Sequence, residues 1–508
     1  MRSGLGYLFE AALQNSPDKV ALRQGRDSLT FRELEARANR VGRALARSGV
    51  GPGDRVAFLF ENDYRFLECY FGVLRAAAVA VSINHRLADE AVAACLAQSG
   101  VRLLLCSPGQ GERAARLARG VPGLREVVGL GASAGVAAYD GWIRGLSGEP
   151  LDLAVPEEAV AIHAYTAGST GRPKACLLTH RAQLWSVDAA VSALGFTAAD
   201  CGVVATPLGH KNATMSIKRL LRAGGSVVLL PRFEPETYLA AIARHGVSCT
   251  TGVPALYQRL VDREELFRRY DVRSVRLCHV GSAPLSPALQ AAIRAHFPNA
   301  RLREVYGATE AGSLIQPPDG SPGLLPVAGT EARVIREDGS ACDPGEVGEL
   351  LLRSPGMALG YYRNPEATAQ RIRGGWYHSG DLVRRSAEGR FFVVGRRDDM
   401  LIIGGEKVYP KEIEEILLRH PQVMDVCVVP VPHPRQGQAP VAFVVAREPR
   451  AVTESTLQEF FLRHGARFAA VRRVHFVDRL PLTAPGKVDR LALRARAEAV
   501  GRGGPDPT

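Results

Sequence analysis

Two rhythms of apolar residues alternate along most of the chain. Through residues 31–45 apolar side chains return every three or four positions with Arg and Glu between them, the spacing of one buried helix face. Short runs rich in Val, Leu and Phe punctuate such segments at 55–60, 102–106, 226–230 and 275–280. This alternation predicts parallel strands covered by helices, an α/β fold. Glycines in Ala223-Gly-Gly and His245-Gly-Val fit short connections from helix to strand.

After about residue 320 the texture changes. Gly345-Glu-Val-Gly-Glu-Leu-Leu-Leu-Arg and Gly389-Arg-Phe-Phe-Val-Val-Gly-Arg read as antiparallel strands with glycine turns. From Asp398 a compact α+β pattern begins. Tyr409-Pro starts a helix with Pro near its N-terminus, 423–429 and 439–445 read as strands, and Thr453 opens another helix. These changes predict a large N-terminal domain over 1–397, a small domain over 398–500 and a disordered tail over 501–508.

A chain of 508 residues has ample core for two domains. No apolar run is long enough to span a bilayer, and residues 1–14 read as an amphipathic helix and not as a signal peptide. The nine cysteines are scattered without a C-x-x-C pair, which fits buried thiols in a reducing cytoplasm and argues against zinc. The net charge of +12 invites polyanions, but the arginines are dispersed and no nucleic-acid module is present; small polyanionic ligands account for part of the excess. Neither nucleic acid nor membrane is expected as a partner.

The densest chemical signal is Tyr165-Thr-Ala-Gly-Ser-Thr-Gly-Arg-Pro-Lys174. Closely spaced Gly, Ser and Thr can turn successive N–H groups and hydroxyls toward one anion, and Lys174 adds a mobile positive charge. Polyphosphate is the natural guest, yet the Walker A pattern is absent. Five further segments follow in order: Val280-Gly-Ser-Ala-Pro-Leu, Val305-Tyr-Gly-Ala-Thr-Glu, Trp376-Tyr-His-Ser-Gly-Asp-Leu, Gly395-Arg-Arg-Asp-Asp-Met and Leu480-Pro-Leu-Thr-Ala-Pro-Gly-Lys-Val-Asp-Arg.

Together these six segments resemble the motif series of the adenylate-forming superfamily, which holds acyl- and aryl-CoA ligases, peptide-synthetase adenylation domains and luciferases. The resemblance runs from about residue 7 to about 492, and Gly-Arg-x-Asp-Asp-Met followed by Gly-Gly-Glu is most similar to benzoate-type aryl-CoA ligases. It implies a distorted β-barrel beside the parallel sheets and a mobile small domain. It also implies two steps: a carboxylate attacks ATP to give an acyl-adenylate and pyrophosphate, then a thiol, usually of CoA, displaces AMP. By resemblance Thr166, Ser169, Thr170 and Lys174 hold the β- and γ-phosphates, Thr309 contacts the α-phosphate, and Glu310 holds Mg²⁺. Ser282, Ala283 and Pro284 line the adenine site, Tyr306 stacks on the base, and Asp381 and Arg396 meet the ribose. Lys487 bridges carboxylate and α-phosphate in the first transition state. Rotation about Asp398 then withdraws it and brings Gly404-Gly405-Glu406 to a pantetheine tunnel, with Arg86 and Arg472 as candidates for the CoA phosphates.

The acid pocket is assigned Trp185, His210, Lys211, Asn212 and Gly307. Many relatives follow Pro-Leu-x-His with an apolar helix; here Lys211 and Asn212 stand instead, which implies a polar or anionic substrate such as a hydroxy- or amino-substituted aromatic acid. Ala167 and Ala175 depart from the usual phosphate loop. Phe468-Ala-Ala-Val471 replaces an aromatic-Lys-x-Pro pattern close to where CoA would lie. Three functions therefore stand. The first is an aryl-acid–CoA ligase. The second is an adenylating enzyme with a carrier-protein thiol or amine as acceptor, including activation of nitrite for attack by an aryl amine. The third is a degenerate nucleotide-binding protein. The acid, the acceptor and the oligomeric state, a homodimer among the options, are left open.

Overall fold

Burial on both faces sets the strands of the large domain. In a computed structural model describing residues 4–131, 133–167, 173–283, 285–403, 406–433, 436–448, 451–483 and 487–501, Arg55–Phe60, Leu103–Cys106, Ser226–Leu229 and Leu277–Gly281 are strands, almost wholly buried. Continuous apolar runs of this kind suit parallel sheets covered on both sides. Two large sheets result, one of nine strands and one of eight, each parallel at its centre, with antiparallel strands at both edges of the first and at one edge of the second. Helix Phe31–Arg47 is fixed at its start by a capping box between Thr30 and Glu33. Its apolar face joins the largest core cluster, with Phe58, Phe66, Phe71 and Leu74.

The N-terminal segment departs from the single helix expected of it. A short 3-10 turn, Leu5–Tyr7, precedes the helix Glu10–Asn15, and Leu5, Leu8 and Phe9 are buried in the main core. Apolar residues on all sides of 5–9 pull that stretch into the core, which a one-faced helix could not satisfy.

Strands Glu331–Ile335, Val347–Arg353, Trp376–Arg385, Ile372–Arg373 and Phe391–Arg396 form an antiparallel sheet where the barrel was expected. Its inner side packs on Ala311, Leu314 and Leu324, so it is welded to the segment that follows the Val305-Tyr-Gly-Ala-Thr-Glu motif. A short 3-10 turn, Arg397–Asp399, leads into the small domain. There a five-stranded sheet built on the hairpin Val423–His433 and Gly437–Ala446 carries the helices Pro410–Leu417, Glu454–His464 and Arg490–Gly501. It has cores of its own, around Val428 and Phe461 and around Phe443 and Leu493. The bonds between domains are polar: Lys407 to Glu337, and Lys411 to the Val393 carbonyl. That texture suits parts that move relative to each other. All nine cysteines are free, and among the described residues no helix is long and apolar enough to cross a membrane.

Candidate functional site

The C-terminal ends of the parallel strands gather the sequence motifs. Strand Leu277–Gly281 ends at Gly281, where a Cβ would lie 2.6 Å from the Val305 carbonyl oxygen of the neighbouring strand; only glycine allows that approach. Ser282 follows with φ of 71°, a left-handed conformation uncommon outside glycine and frequent at functional turns. Ala283 is half-buried beside it. Pro284, Ser169, Thr170 and Gly405 lie outside the described residues.

Strand Arg301–Gly307 delivers Tyr306 and exposed Gly307, then the chain turns through Thr309 and Glu310. Tyr306 donates its hydroxyl to Asp381 Oδ2 at 2.5 Å, and Arg396 Nε stands 3.2 Å from Asp381 Oδ1. Asp381 and Arg396 are direct cross-strand partners, so the antiparallel register itself makes the pair. Burial pushes the Asp381 carboxyl up, opposed by Arg396, the Tyr306 hydroxyl and Lys487. Its oxygens still have lone pairs beyond these contacts, enough to accept from two neighbouring hydroxyls.

Glu310 is nearly buried at 6% exposure, and its Oε1 accepts from the Tyr361 hydroxyl at 2.9 Å. The Lys174 ammonium lies 5.8 Å from the centre of the same tyrosine ring. Lys174 is also the ladder partner of Thr166, whose hydroxyl faces its carbonyl at 3.5 Å. The phosphate-loop strands thus lead to Glu310 through Tyr361. Among the described residues no group of three or more His, Cys, Asp or Glu could hold a metal. One carboxylate with an oxygen left over fits Mg²⁺, which takes its remaining ligands from phosphate and water.

His210 caps the helix Lys211–Arg222, and its Nδ1 accepts the Asn212 N–H at 3.2 Å. Gly209 lets this loop press on the strand Val79–Asn84, since a Cβ there would come within 2.7 Å of the Ile83 carbonyl oxygen. Burial, then Lys487 and Lys211, pull the His210 imidazole down to about 4, so it is neutral at pH 7. With Nδ1 accepting, the neutral ring carries its proton on Nε2. Lys211 donates to the Thr309 carbonyl at 3.1 Å, so its ammonium braces the Thr309–Glu310 turn from beneath. Trp185 packs against Gly329 and Gly356 beside the cluster of Ile315 and Val327.

The small domain contributes Lys487. Leu482 and Val488 form a narrow bridge, the Thr483 N–H donates to the Lys487 carbonyl at 2.7 Å, and the Lys487 N–H donates to the Thr483 hydroxyl at 3.3 Å, which holds the backbone of the lysine. Lys487 is itself exposed. Its environment nevertheless belongs to the large domain. The surrounding protein and then the Arg396 guanidinium pull its pKa below 10.5, while the Asp381 and Glu310 carboxylates oppose them. Arg86 is exposed in the loop after Val79–Asn84, Arg472 bonds Gln436 at 2.8 Å, and Asp398 is exposed in the turn between domains.

Two groups that sequence reasoning passed over lie farther along the Lys211–Arg222 helix. Lys218 and Arg219 are 1% and 8% exposed. The helical repeat from His210 was the signal that could have found them: seven and eight residues beyond Lys211 return to its side.

Residues 9–362 match the AMP-binding enzyme family and 412–487 match the AMP-binding enzyme C-terminal domain. A feruloyl-CoA synthase of Amycolatopsis sp is 35% identical over 97% of this chain and 99% of its own. A 2-succinylbenzoate–CoA ligase of Geobacillus kaustophilus is 33% identical over 94% and 95%. The crystal structure of the anthranilate CoA ligase AuaEII with anthranoyl-AMP superposes with a TM-score of 0.91 at 27% identity, covering 99% of this chain and 98% of that one. The chain belongs to the adenylate-forming family of AMP-binding enzymes, and its fold and relatives are those of AMP-forming acyl- and aryl-CoA synthetases.

Proposed function

We propose that this enzyme activates an aromatic acid bearing a polar substituent as its adenylate and passes the acyl group to the thiol of CoA. The observation that carries the reading is Lys487, held by the small domain among Arg396, Asp381, Glu310 and His210 of the large one. Joining a carboxylate to a phosphate brings two anions together, and positive charge placed where negative charge gathers lowers that barrier. Lys487 supplies it at the α-phosphate, with Thr309 as a neutral donor. Thr166 and Lys174, with Ser169 and Thr170, hold the outer phosphates. Glu310 binds Mg²⁺, which neutralises phosphate charge when bound. Asp381 accepts the ribose hydroxyls beside Arg396, Tyr306 packs on the base, and Ser282, Ala283 and Pro284 border it. Neutral His210 offers its Nε2–H to the acid.

The second step needs Lys487 withdrawn. The polar, sparse bonds across the domain boundary, which we place at 397/398, support rotation at Asp398. Gly405 would then line the thiol's path, with Arg86 and Arg472 near the CoA phosphates. The names of the aryl-acid relatives support both the acid class and the acceptor. The test is pyrophosphate–ATP exchange over substituted benzoates, cinnamates, fatty acids and nitrite, followed by product analysis with and without CoA. Acid-dependent exchange, lost about 10²- to 10³-fold in Lys487→Ala, is expected. Exchange that is indifferent to Lys487 would overturn the assignment. AMP release that ignores CoA but responds to an amine or a carrier protein would reassign the acceptor.

A further inference from the structure

Beyond Lys211 the same helix buries two more cations. Arg219 is 8% exposed, and its Nε has no hydrogen-bond partner among the described residues. Lys218 is 1% exposed and donates to the Gln183 amide oxygen at 2.7 Å, a neutral partner. No ion pair joins either of them to a carboxylate among the described residues. Arg222, one turn on, contrasts with them by closing on Asp188 at 2.7 Å.

What faces Arg219 is polar by construction. Thr251, His279 and Arg303 are successive register partners on three parallel strands, so their side chains stand in a row on one sheet face. All three are at most 9% exposed. Ser216, three residues before Arg219 on the helix, has its hydroxyl 3.3 Å from the Thr251 hydroxyl, which lies 3.0 Å from His279 Nδ1. His279 Nε2 is buried without a partner among the described residues, and burial, then the Arg219 and Arg303 charges, keep that imidazole neutral. When the Thr251 hydroxyl donates to Nδ1, the His279 Nε2–H becomes a second donor beside the guanidinium. Arg303 spends its Nε on the Gln316 carbonyl at 2.7 Å. Two unpaired buried donors and a permanent positive charge that no carboxylate pairs among the described residues describe a place that lacks its anion.

We propose that this chamber, formed by Arg219, His279, Ser216 and Thr251, binds a second anionic group of the substrate, so that the enzyme's preferred acids are dianions. The inference rests on the ligase reading above and narrows its substrate class. Eight residues of helix separate Lys211 from Arg219, about 12 Å along the axis. The carboxylate to be activated lies at the His210 end and the distal anion at the Arg219 end, with the body of the acid alongside the helix. A plain alkyl chain would leave the guanidinium and the imidazole unpaired, so fatty acids are excluded by the same contacts.

The test compares acids that differ only in the distal charge: terephthalate against its monomethyl ester, and 4-carboxycinnamate against its distal methyl ester, by pyrophosphate–ATP exchange. The diacids should show kcat/KM about 10- to 100-fold above their esters. Arg219→Met should collapse that ratio toward one. Equal rates for diacid and ester in the wild-type enzyme would overturn the proposal, whether or not Arg219→Met folds. Added sulfate that raises exchange with the esters to the diacid level would also overturn it, by showing that free anions from solution fill the chamber. If no acid of either kind supports exchange, the ligase reading fails separately. The chamber is then judged by thermal unfolding: a rise in Tm with terephthalate and none with its ester supports it, and equal shifts overturn it.

Discussion

Arg75 and Arg219 are both buried guanidiniums, and the protein treats them in opposite ways. Arg75 is fully enclosed, and every nitrogen has a partner. Nε donates to the Gly6 carbonyl at 2.9 Å, Nη1 to the Glu35 carbonyl and to Asn39 Oδ1 at 3.0 and 2.8 Å, and Nη2 to the Glu35 carboxylate at 2.5 Å. Its Cζ lies over the Tyr7 and Phe9 rings, 4.9 and 5.4 Å from their centres. It joins the N-terminal turn to two core helices and is architecture. Arg219 has no counter-ion among the described residues and an orphaned Nε. A buried cation closed by its own chain locks a fold, whereas one left open is held for a ligand and weakens the fold until that ligand arrives.

The sharpest break of this contrast is Glu35→Ala, which strands Arg75 without its carboxylate. About 3–5 kcal/mol of folding stability should be lost in denaturant unfolding, as for other buried pairs with one partner removed. A loss below 1 kcal/mol would erase the difference between the two arginines.

Buried histidines give the next largest effect and sharpen the comparison, because they avoid charge instead of pairing it. Burial holds His163 and His180 down to about 4 and His279 down to about 3. Below pH 6.5 the unfolded chain takes up these protons and the folded one does not, so stability is present above 6.5 and is lost as pH falls toward 4. Each of His163 and His180 contributes up to about 3 kcal/mol of that loss. Urea midpoints measured between pH 7 and 4.5 should fall steadily, and a His180→Gln variant should show a shallower slope.

Arg219→Met should behave unlike Glu35→Ala. Replacing an unpaired buried charge with an apolar side chain of similar length is expected to leave stability equal or raise it by about 1–4 kcal/mol, read as Tm without ligand. A loss as large as that of Glu35→Ala would make Arg219 a structural cation.

Lys487 stands between the two extremes, a cation carried in by another domain. Its lowered pKa means that the protonated, active form is lost as pH rises through a value below the ordinary 10.5. Exchange should therefore fall on the alkaline side earlier than a free lysine would titrate, and an Arg396→Gln variant, which relieves the repulsion, should move that limb upward. The smallest effect belongs to Arg472. It is exposed and bonded to a neutral amide, so Arg472→Ala should change stability by no more than about 0.5 kcal/mol and register, if at all, in KM for CoA.

Much of the fold was legible because its signals are local. The strand at 55–60 and the helix from Phe31 follow from spacing alone, and Thr30 with Glu33 marks where that helix begins. The residues expected at the nucleotide stand in sequence motifs, and the strand ends bring Tyr306, Asp381, Arg396 and Glu310 together, with Lys487 reaching them from the small domain. Lys211 was visible, but its partner was not. The Thr309 carbonyl lies 98 residues away, and only packing shows that the ammonium braces a turn. Lys218 and Arg219 went unremarked in the sequence. They are buried because helix His180–Leu194 covers one side and the parallel sheet the other.

The sequence by itself determined the alternating strands and helices, the order of the nucleotide motifs and the family chemistry, since these depend on neighbours a few residues apart and on side chains whose chemistry needs no context. Only the tertiary structure decided which charges are closed and which are open. Whether a buried cation finds a carboxylate depends on segments distant in the chain, as Glu35 meets Arg75 and as no acid among the described residues meets Arg219, and no local pattern encodes that distance.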